Sequence, residues 1–186
     1  EKNIKNFINS YHKSGDFILK HITACAGVWQ HTFNIDEVDN IENIKENYEN
    51  YVLQPFIKIK SIYSVDAICV NGEIINYIIY KYNSFCSTIK FKSYKQIKDV
   101  FTTQIIRRGE IYENIILFSK TLIKRLGYSS FINIEFILDE NGDISLLEIN
   151  PRISGNCGAH ENKYKNINYF NKIIIPYLNT LKIKIP

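Results

Sequence analysis

Residues 131–152 decide the fold class, and they read FINIEFILDENGDISLLEINPR. Apolar and polar residues alternate over 131–138, and a second, mainly apolar run follows over 144–149. The intervening segment DENG, residues 139–142, consists largely of residue types that favour tight turns. Two extended runs joined by a short turn predict an antiparallel hairpin of two β-strands.

The polar residues of this hairpin are expected on one face. Side chains alternate along a strand, so Asn133 and Glu135 point to the same side of the first strand, and Glu148 and Asn150 do so on the second. A four-residue turn at 139–142 puts Asn133 opposite Glu148, with Glu135 diagonal to it. We therefore expect two carboxylates and an amide to converge in the middle of a sheet.

These side chains favour a particular chemistry. Two carboxylates held close together repel each other, and one takes up a proton unless a cation lies between them. A few oxygen ligands suit Mg²⁺ that is shared with phosphate oxygens. Arg152 would offer a planar pair of donors to the same phosphates. The hairpin thus predicts a nucleoside triphosphate site. The alternative is an exposed hairpin whose outer face is merely polar.

Further elements surround the hairpin. Apolar residues repeat along one face of 110–126 and Gly127 follows, which predicts a capped helix. Asn71-Gly72 between extended runs at 61–70 and 73–82 predicts a second, tightly turned hairpin. Other helices are expected at 2–13, 38–48, 94–101 and 168–181, and other strands at 16–20, 28–33 and 51–57. Antiparallel strands backed by helices make the expected fold class α+β.

Composition narrows the class of protein. The 186 residues include 23 basic and 19 acidic side chains in an interspersed order, so the net charge of +4 does not indicate nucleic acid binding. No apolar stretch approaches the ~20 residues that cross a bilayer, so no membrane partner is expected. The four cysteines form no CxxC pair, which is typical of reduced thiols. We expect a soluble, cytoplasmic protein of one domain or two small lobes.

The segment with Glu135, Phe136, Gly142 and residues 147–155, LEINPRISG, resembles the C-terminal metal-binding signature of ATP-grasp enzymes. It is most similar to the branch that contains the carbamoyl-phosphate synthetase large chain and biotin carboxylase. The resemblance implies an ATP-grasp fold, in which two lobes of antiparallel sheet backed by helices hold the nucleotide between them. It implies one ATP-grasp domain over 1–186, with a small lobe at about 1–52, a hinge at about 53–58 and a large lobe at about 59–186. The N-terminal domain that usually precedes it is expected to be missing.

The same resemblance implies that Glu135, Glu148 and Asn150 are the metal ligands, and it implies roles for other residues. Lys20 would contact the α- and β-phosphates, and the loop that contains Gly27 would close over them. Backbone groups of the hinge would hold the adenine. The residues expected to bind the nucleotide are Lys20, Gly27, Gln54, Pro55, Ile57 and Arg152.

The implied activity is ATP-dependent ligation of a small-molecule carboxylate to an amine or a thiol through an acyl phosphate, with Lys20 and Arg152 as catalytic residues. ATP and Mg²⁺, or Mn²⁺ in its place, would be the cofactors. The chain would need the missing N-terminal domain for turnover, and a homodimer is a further expected assembly. One alternative is a non-catalytic nucleotide-sensing module, because Gly27 is the sole glycine of its loop. A nucleic-acid-binding module would need basic residues clustered beside aromatic ones, and here they are scattered.

Overall fold

The structure, a computed structural model, describes residues 16–22, 30–34, 50–82, 103–154 and 175–180. The described strands are β1 (Asp16–His21), β2 (Gln30–Asn34), β3 (Tyr51–Pro55), β4 (Ile59–Val70), β5 (Glu73–Tyr82), β6 (Thr103–Ile106), β7 (Ser130–Asp139) and β8 (Ile144–Asn150). The described helices are α1 (Glu110–Leu126) and α2 (Ile175–Thr180). The chain divides into two compact units, and among the described residues the boundary follows Lys58.

The first unit contains a three-stranded antiparallel sheet in the order β2-β1-β3. Phe17 and Leu19 of β1 are buried. Pro55 ends β3 at the edge of this sheet, opposite Phe17. Proline has no N–H to donate to a ladder, and an edge strand is the position in a sheet that accommodates it.

The second unit contains a five-stranded antiparallel sheet in the order β6-β5-β4-β7-β8. One face of this sheet is apolar and forms the core together with α1. Phe136 is fully buried there, and its ring meets that of Phe118 on α1 edge to face, with the ring centroids 5.5 Å apart. The other buried members of this core are Tyr63, Val65, Ala67, Cys69, Ile79, Ile115, Ile116, Ile123, Ile132, Ile134 and Leu138.

The turn between β4 and β5 abuts the end of α1. Asn71 and Gly72 both have positive φ, 51° and 80°, as a tight two-residue hairpin turn of type I′ requires. The Gly72 amide donates to the carbonyl oxygen of Tyr128 at 3.0 Å. Gly127 caps α1 in the left-handed conformation. Both the turn and the capped helix at 110–126 are therefore confirmed.

The described residues are mainly antiparallel sheet with one long helix, within the expected α+β class. Strand β6 lies in a region that the sequence left ambiguous, and the helices expected at 2–13, 38–48 and 94–101 lie outside the described residues. Of the helix expected at 168–181, residues 175–180 are described. The division into a small lobe, a hinge and a large lobe stays a prediction. Neither described helix has the length and apolar character to cross a membrane.

Candidate metal and phosphate site

The face of the five-stranded sheet opposite α1 carries a band of polar side chains. Residues that pair across antiparallel strands point to the same side, so the register collects this band from four strands. Ser64 and Asp66 on β4 face Glu135 and Asn133 on β7. The full set is Tyr80, Tyr82, Ser64, Asp66, Asn133, Glu135, Glu148 and Asn150.

The two expected carboxylates lie directly opposite each other, because Glu135 pairs with Glu148 and Asn133 pairs with Asn150. The expected register, with Asn133 opposite Glu148, is therefore wrong by two residues. The expected face is right, because a shift of two preserves the side to which a residue points.

Two local irregularities produce this shift. At the turn, the Asp139 carboxylate accepts hydrogen bonds from the amides of Asn141 and Asp143 at 2.9 and 2.8 Å. The Asp139 amide also donates to the Asp143 carbonyl oxygen, and Leu138 pairs with Ile144 and not with Asp143, so the register is shifted by one residue at the turn. Farther along, the register shifts again between Glu135 and Phe136, where a β-bulge places an extra residue in β8.

Asn150 connects the acidic pair to the rest of the band. Its amide nitrogen donates to Glu148 Oε1 at 2.7 Å and to Asn133 Oδ1 at 3.3 Å. The amide oxygen of Asn150 is then the atom with capacity for a cation. Asn133, which is only 1% exposed, serves as a buried link and not as an open ligand.

The surroundings of Glu135 disfavour its ionised form. Its pKa is raised from 4.5 to about 7, first by burial and then by the negative charge of Glu148, with a smaller contribution from Asp66. The Tyr82 hydroxyl donates to Glu135 Oε1 at 3.3 Å and opposes this shift, as does the charge of Arg152. A buried carboxylate beside a second negative charge is stabilised in its ionised form by a cation.

The donor set fits a hard divalent ion. It offers two opposed carboxylates and an amide oxygen, which are ligands that Mg²⁺ accepts when phosphate and water complete the octahedron. Within the described residues, no three side chains of the His, Cys, Asp and Glu types gather at a metal-binding distance. A cation here would therefore be held by Glu135, Glu148 and Asn150 and by oxygens from outside the protein.

Arg152 lies two residues past the end of β8 and is exposed. Its backbone amide donates to the Asn150 carbonyl oxygen at 2.8 Å, and its guanidinium donates to the Ile153 carbonyl oxygen at 3.2 Å. Burial raises the pKa of both Glu135 and Asp66, and the positive charge of Arg152 opposes this rise. Arg152 thus adds positive charge to the same end of the acidic band.

The remaining predicted residues belong to the first unit. Lys20 and Ile18 of β1 pair with Val52 and Gln54 of β3, so Lys20 and Gln54 share one face of that sheet. Lys20 is half-buried and Gln54 is exposed. Pro55 and Ile57, whose backbone groups were expected to meet adenine, are also partly buried. Gly27 lies outside the described residues.

Sequence reasoning missed Asp66, Ser64, Tyr82 and Ser154 as parts of this site. A signal for Asp66 was present, because it is the one acidic residue in the otherwise mostly apolar strand β4. Its partner Ser154 is 88 residues away in sequence, and no local pattern connects the two.

Comparisons with known proteins add the family. A family model described as the ATP-grasp domain matches residues 6–156. No curated protein sequence is similar enough to count as a relative. Several solved structures share the fold.

The N5-carboxyaminoimidazole synthetase of Staphylococcus aureus, solved with ADP, matches with a TM-score of 0.63 and 15% identity over 100% of this chain and 45% of that one. D-alanyl-alanine synthetase A of Vibrio cholerae matches with a TM-score of 0.65 and 17% identity over 97% of this chain and 57% of its own. The biotin carboxylase domain of Hydrogenobacter thermophilus 2-oxoglutarate carboxylase, solved with MgADP, ADP and bicarbonate, matches with a TM-score of 0.52 and 17% identity over 84% of this chain and 34% of its own.

This chain spans 45% and 57% of the lengths of the first two structures. At such low identities the structural likeness speaks for the fold alone. The family model, however, covers well over half of the sequence. The chain therefore belongs to the ATP-grasp family.

Proposed function

We propose that the chain is the nucleotide-binding part of an ATP-dependent ligase that joins a carboxylate to an amine or a thiol. The observation that carries this proposal is the opposed pair Glu135 and Glu148, within the segment that resembles the family's metal-binding signature. Surface hairpins do not ordinarily keep two facing carboxylates when burial raises the pKa of one of them to about 7. A divalent ion bound by the two carboxylates would account for that arrangement.

In this proposal Glu135, Glu148 and Asn150 hold Mg²⁺, or Mn²⁺ in its place. The ion supplies positive charge that offsets the charge on the transferring phosphoryl group. Asn150 is prepared for this role, because its amide nitrogen is engaged by Glu148 and Asn133.

Arg152 and Lys20 are the proposed catalytic cations. Both would stabilise negative charge on phosphate oxygens, and neither needs to become a covalent nucleophile. Support for Arg152 is its influence on the pKa of Glu135. Support for Lys20, for the hinge groups at Gln54, Pro55 and Ile57, and for the loop at Gly27 is the family resemblance.

The proposed reaction has two steps. A substrate carboxylate oxygen bonds to the γ-phosphorus as the bond to ADP breaks, which gives an acyl phosphate. An amine or thiol then bonds to the acyl carbon, phosphate leaves, and the nucleophile loses its proton. In this scheme the chain's residues bind, orient and neutralise charge, and exclusion of water protects the acyl phosphate from hydrolysis.

The partners and setting are part of the same proposal. The acceptor and donor are small molecules, and the carbamoyl-phosphate-synthetase and biotin-carboxylase branch is the proposed affiliation within the family. Because the chain spans about half of the two matched synthetases, we propose that turnover needs a further domain and that the chain alone binds Mg-ATP without turnover. A cytoplasmic location is also proposed, and the buried, free thiol of Cys69 suits it.

A thermal-shift titration tests the metal site. Mg²⁺ with ATP is expected to raise the melting temperature of the chain, since a ligand that binds only the folded state stabilises it. The double variant Glu135→Gln, Glu148→Gln should lose that response. Glu140→Gln, at an exposed position of the same hairpin, is the matched control and should keep it. No shift for the unsubstituted chain at millimolar Mg-ATP would contradict the proposal.

A second assay separates the ligase from a nucleotide sensor. The longer protein that contains this domain should release ADP when the correct carboxylate and amine or thiol are supplied. Binding of ATP without ADP release across a broad panel of carboxylates would favour the non-catalytic sensing module.

A further inference from the structure

One buried carboxylate lies in the polar band but outside the proposed ligand set. Asp66 is only 1% exposed and sits in β4, the central strand between β5 and β7. Burial of a carboxylate is strongly unfavourable unless hydrogen bonds replace the water that it loses. The hydrogen-bond partners of Asp66 therefore indicate the role of its carboxylate.

The Asp66 carboxylate accepts three hydrogen bonds. Oδ1 accepts from the side-chain amide of Asn133 at 3.0 Å and from the backbone amide of Ser154 at 3.2 Å, and Oδ2 accepts from the Ser154 hydroxyl at 2.6 Å. A group that only accepts is suited to the ionised form. Asp66 thus ties β4 to β7 on one side and to the segment after β8 on the other.

The bond to Asn133 fixes which way that amide points. With its nitrogen directed at Asp66 and at Ser64 Oγ, 2.7 Å away, Asn133 must present its oxygen to the nitrogen of Asn150. That contact, with the bond from Asn150 to Glu148, orients the Asn150 amide in turn. A two-step relay therefore runs from a carboxylate in the core to the amide oxygen of a proposed metal ligand.

The bonds to Ser154 act on a different part of the site. Ser154 is itself 6% exposed, and it lies two residues beyond Arg152. Two hydrogen bonds to one carboxylate hold this residue against the sheet. The short stretch from Asn150 to Ser154, which carries the Arg152 guanidinium, is thereby anchored at both ends.

We infer that Asp66 is a positioning residue that orients Asn150 toward the metal ion through Asn133 and anchors the Arg152 segment through Ser154. This inference rests on the proposed function. Partners behind a metal ligand commonly determine its orientation, and their loss weakens metal binding without removal of any ligand. A charged acceptor suits that task because it forces both neighbouring groups to act as donors.

The test compares Asp66→Asn with a matched control in the 186-residue chain. The asparagine has the same shape but no negative charge and only one acceptor oxygen. The hydrogen bonds from Asn133 and the Ser154 amide therefore lose their charge assistance, and the Ser154 hydroxyl loses its acceptor. The Mg²⁺ concentration that gives half of the ATP-dependent thermal shift should rise about tenfold. Glu140→Gln, which alters an exposed carboxylate in the turn of the same hairpin, should leave that concentration unchanged.

A spectroscopic readout isolates the relay. In ¹⁵N spectra the side-chain amide signals of Asn150, assigned with Asn150→Asp, should move in Asp66→Asn even though Asp66 does not contact Asn150. A merely local structural role of Asp66 would move the signals of Asn133 alone.

Ser154→Ala tests the anchoring role of Asp66 separately from the relay through Asn133. It also provides a test if Asp66→Asn fails to fold. It removes the hydroxyl bond to Oδ2 and keeps the bond from Asn133. ATP affinity at saturating Mg²⁺ should fall about fivefold, roughly the net value of one ordinary hydrogen bond, while the Mg²⁺ requirement stays within a factor of about two. Unchanged ATP affinity in Ser154→Ala would overturn the anchoring role.

The outcomes distinguish this inference from the proposed function. If the unsubstituted chain shows no response to Mg-ATP, both are overturned. If it responds and Asp66→Asn shows the same Mg²⁺ requirement and unmoved Asn150 signals, only the positioning role is overturned.

Discussion

The two faces of the five-stranded sheet are built from alternate residues of the same strands, yet they have opposite energetic characters. On the α1 face, Tyr63, Phe136 and their neighbours are buried among apolar side chains. On the other face, Asp66, Asn133 and Glu135 bring charge and polar groups out of water. The first face stabilises the fold. That stability offsets the unfavourable burial of charged and polar groups on the second face. The effects of substitutions on the two faces should therefore differ in the property that changes as well as in the size of the change.

The largest expected effect is on the α1 face. Phe136→Ala removes a fully buried ring from the core, and it should lower the free energy of unfolding by about 3–5 kcal/mol. Urea unfolding measures the change. Phe118→Ala removes the other ring of the same contact, but this ring is 43% exposed, so its loss should be clearly smaller. Equal losses would mean that the edge-to-face contact, and not burial, provides the stability.

The polar face should make the free energy of unfolding depend on pH in a way that the apolar α1 face does not. The folded chain holds a proton on Glu135 up to about pH 7, whereas the unfolded chain releases it near the ordinary pKa of 4.5. Folded protein then binds more protons than unfolded protein between these values, so stability without Mg²⁺ should fall as the pH rises from 4.5 to about 7 and should level off above. The fall is at most about 3.5 kcal/mol, at about 1.4 kcal/mol for each pKa unit.

Urea unfolding at a series of pH values without divalent ions measures this slope. Glu135→Gln should flatten it, and Glu140→Gln, in the exposed turn, should not. Addition of Mg-ATP should abolish the fall if the cation lies beside the pair. A Glu135→Gln variant that keeps the full slope would assign the pH dependence to other groups.

The smallest effect is expected at Tyr82. Its hydroxyl donates to Glu135 at 3.3 Å and lowers the pKa of that carboxyl, so Tyr82→Phe should raise the pKa of Glu135 slightly further. The free energy of unfolding should change by about 0.5 kcal/mol, because the bond is long. A ¹³C titration of the Glu135 carboxyl detects the pKa change. An unchanged or lowered pKa would show that the hydroxyl bond does not act on the ionised form.

Much of this division between faces could be predicted from the sequence, because it follows from alternation within single strands. The hairpin at Asn71-Gly72, the bounds of α1 and the shared face of Glu135 and Glu148 all depend on short-range patterns. Each is decided by residues within a few positions of one another, so a single sequence contains the information.

The cross-strand partners could not be predicted in the same way. The hydrogen bonds of Asp139 accompany a register shift of one residue at the turn, and the bulge beside Glu135 adds another, both through contacts that alternation does not reveal. The link between Asp66 and Ser154 joins positions 88 residues apart. Strand β6 is only four residues long, too short for its pattern to stand out.

The bulge beside Glu135 has a consequence for the identity of the charged pair. β8 is bonded to β7 along one edge of the described sheet, so a regular ladder with the same turn is a neighbouring alternative for it. In that ladder Leu147 would take the place opposite Glu135, and Glu148 would point toward α1. The one extra residue in β8 thus determines which side chain lies opposite Glu135. A shift of β8 by one residue would replace Glu148 with Leu147 at this position.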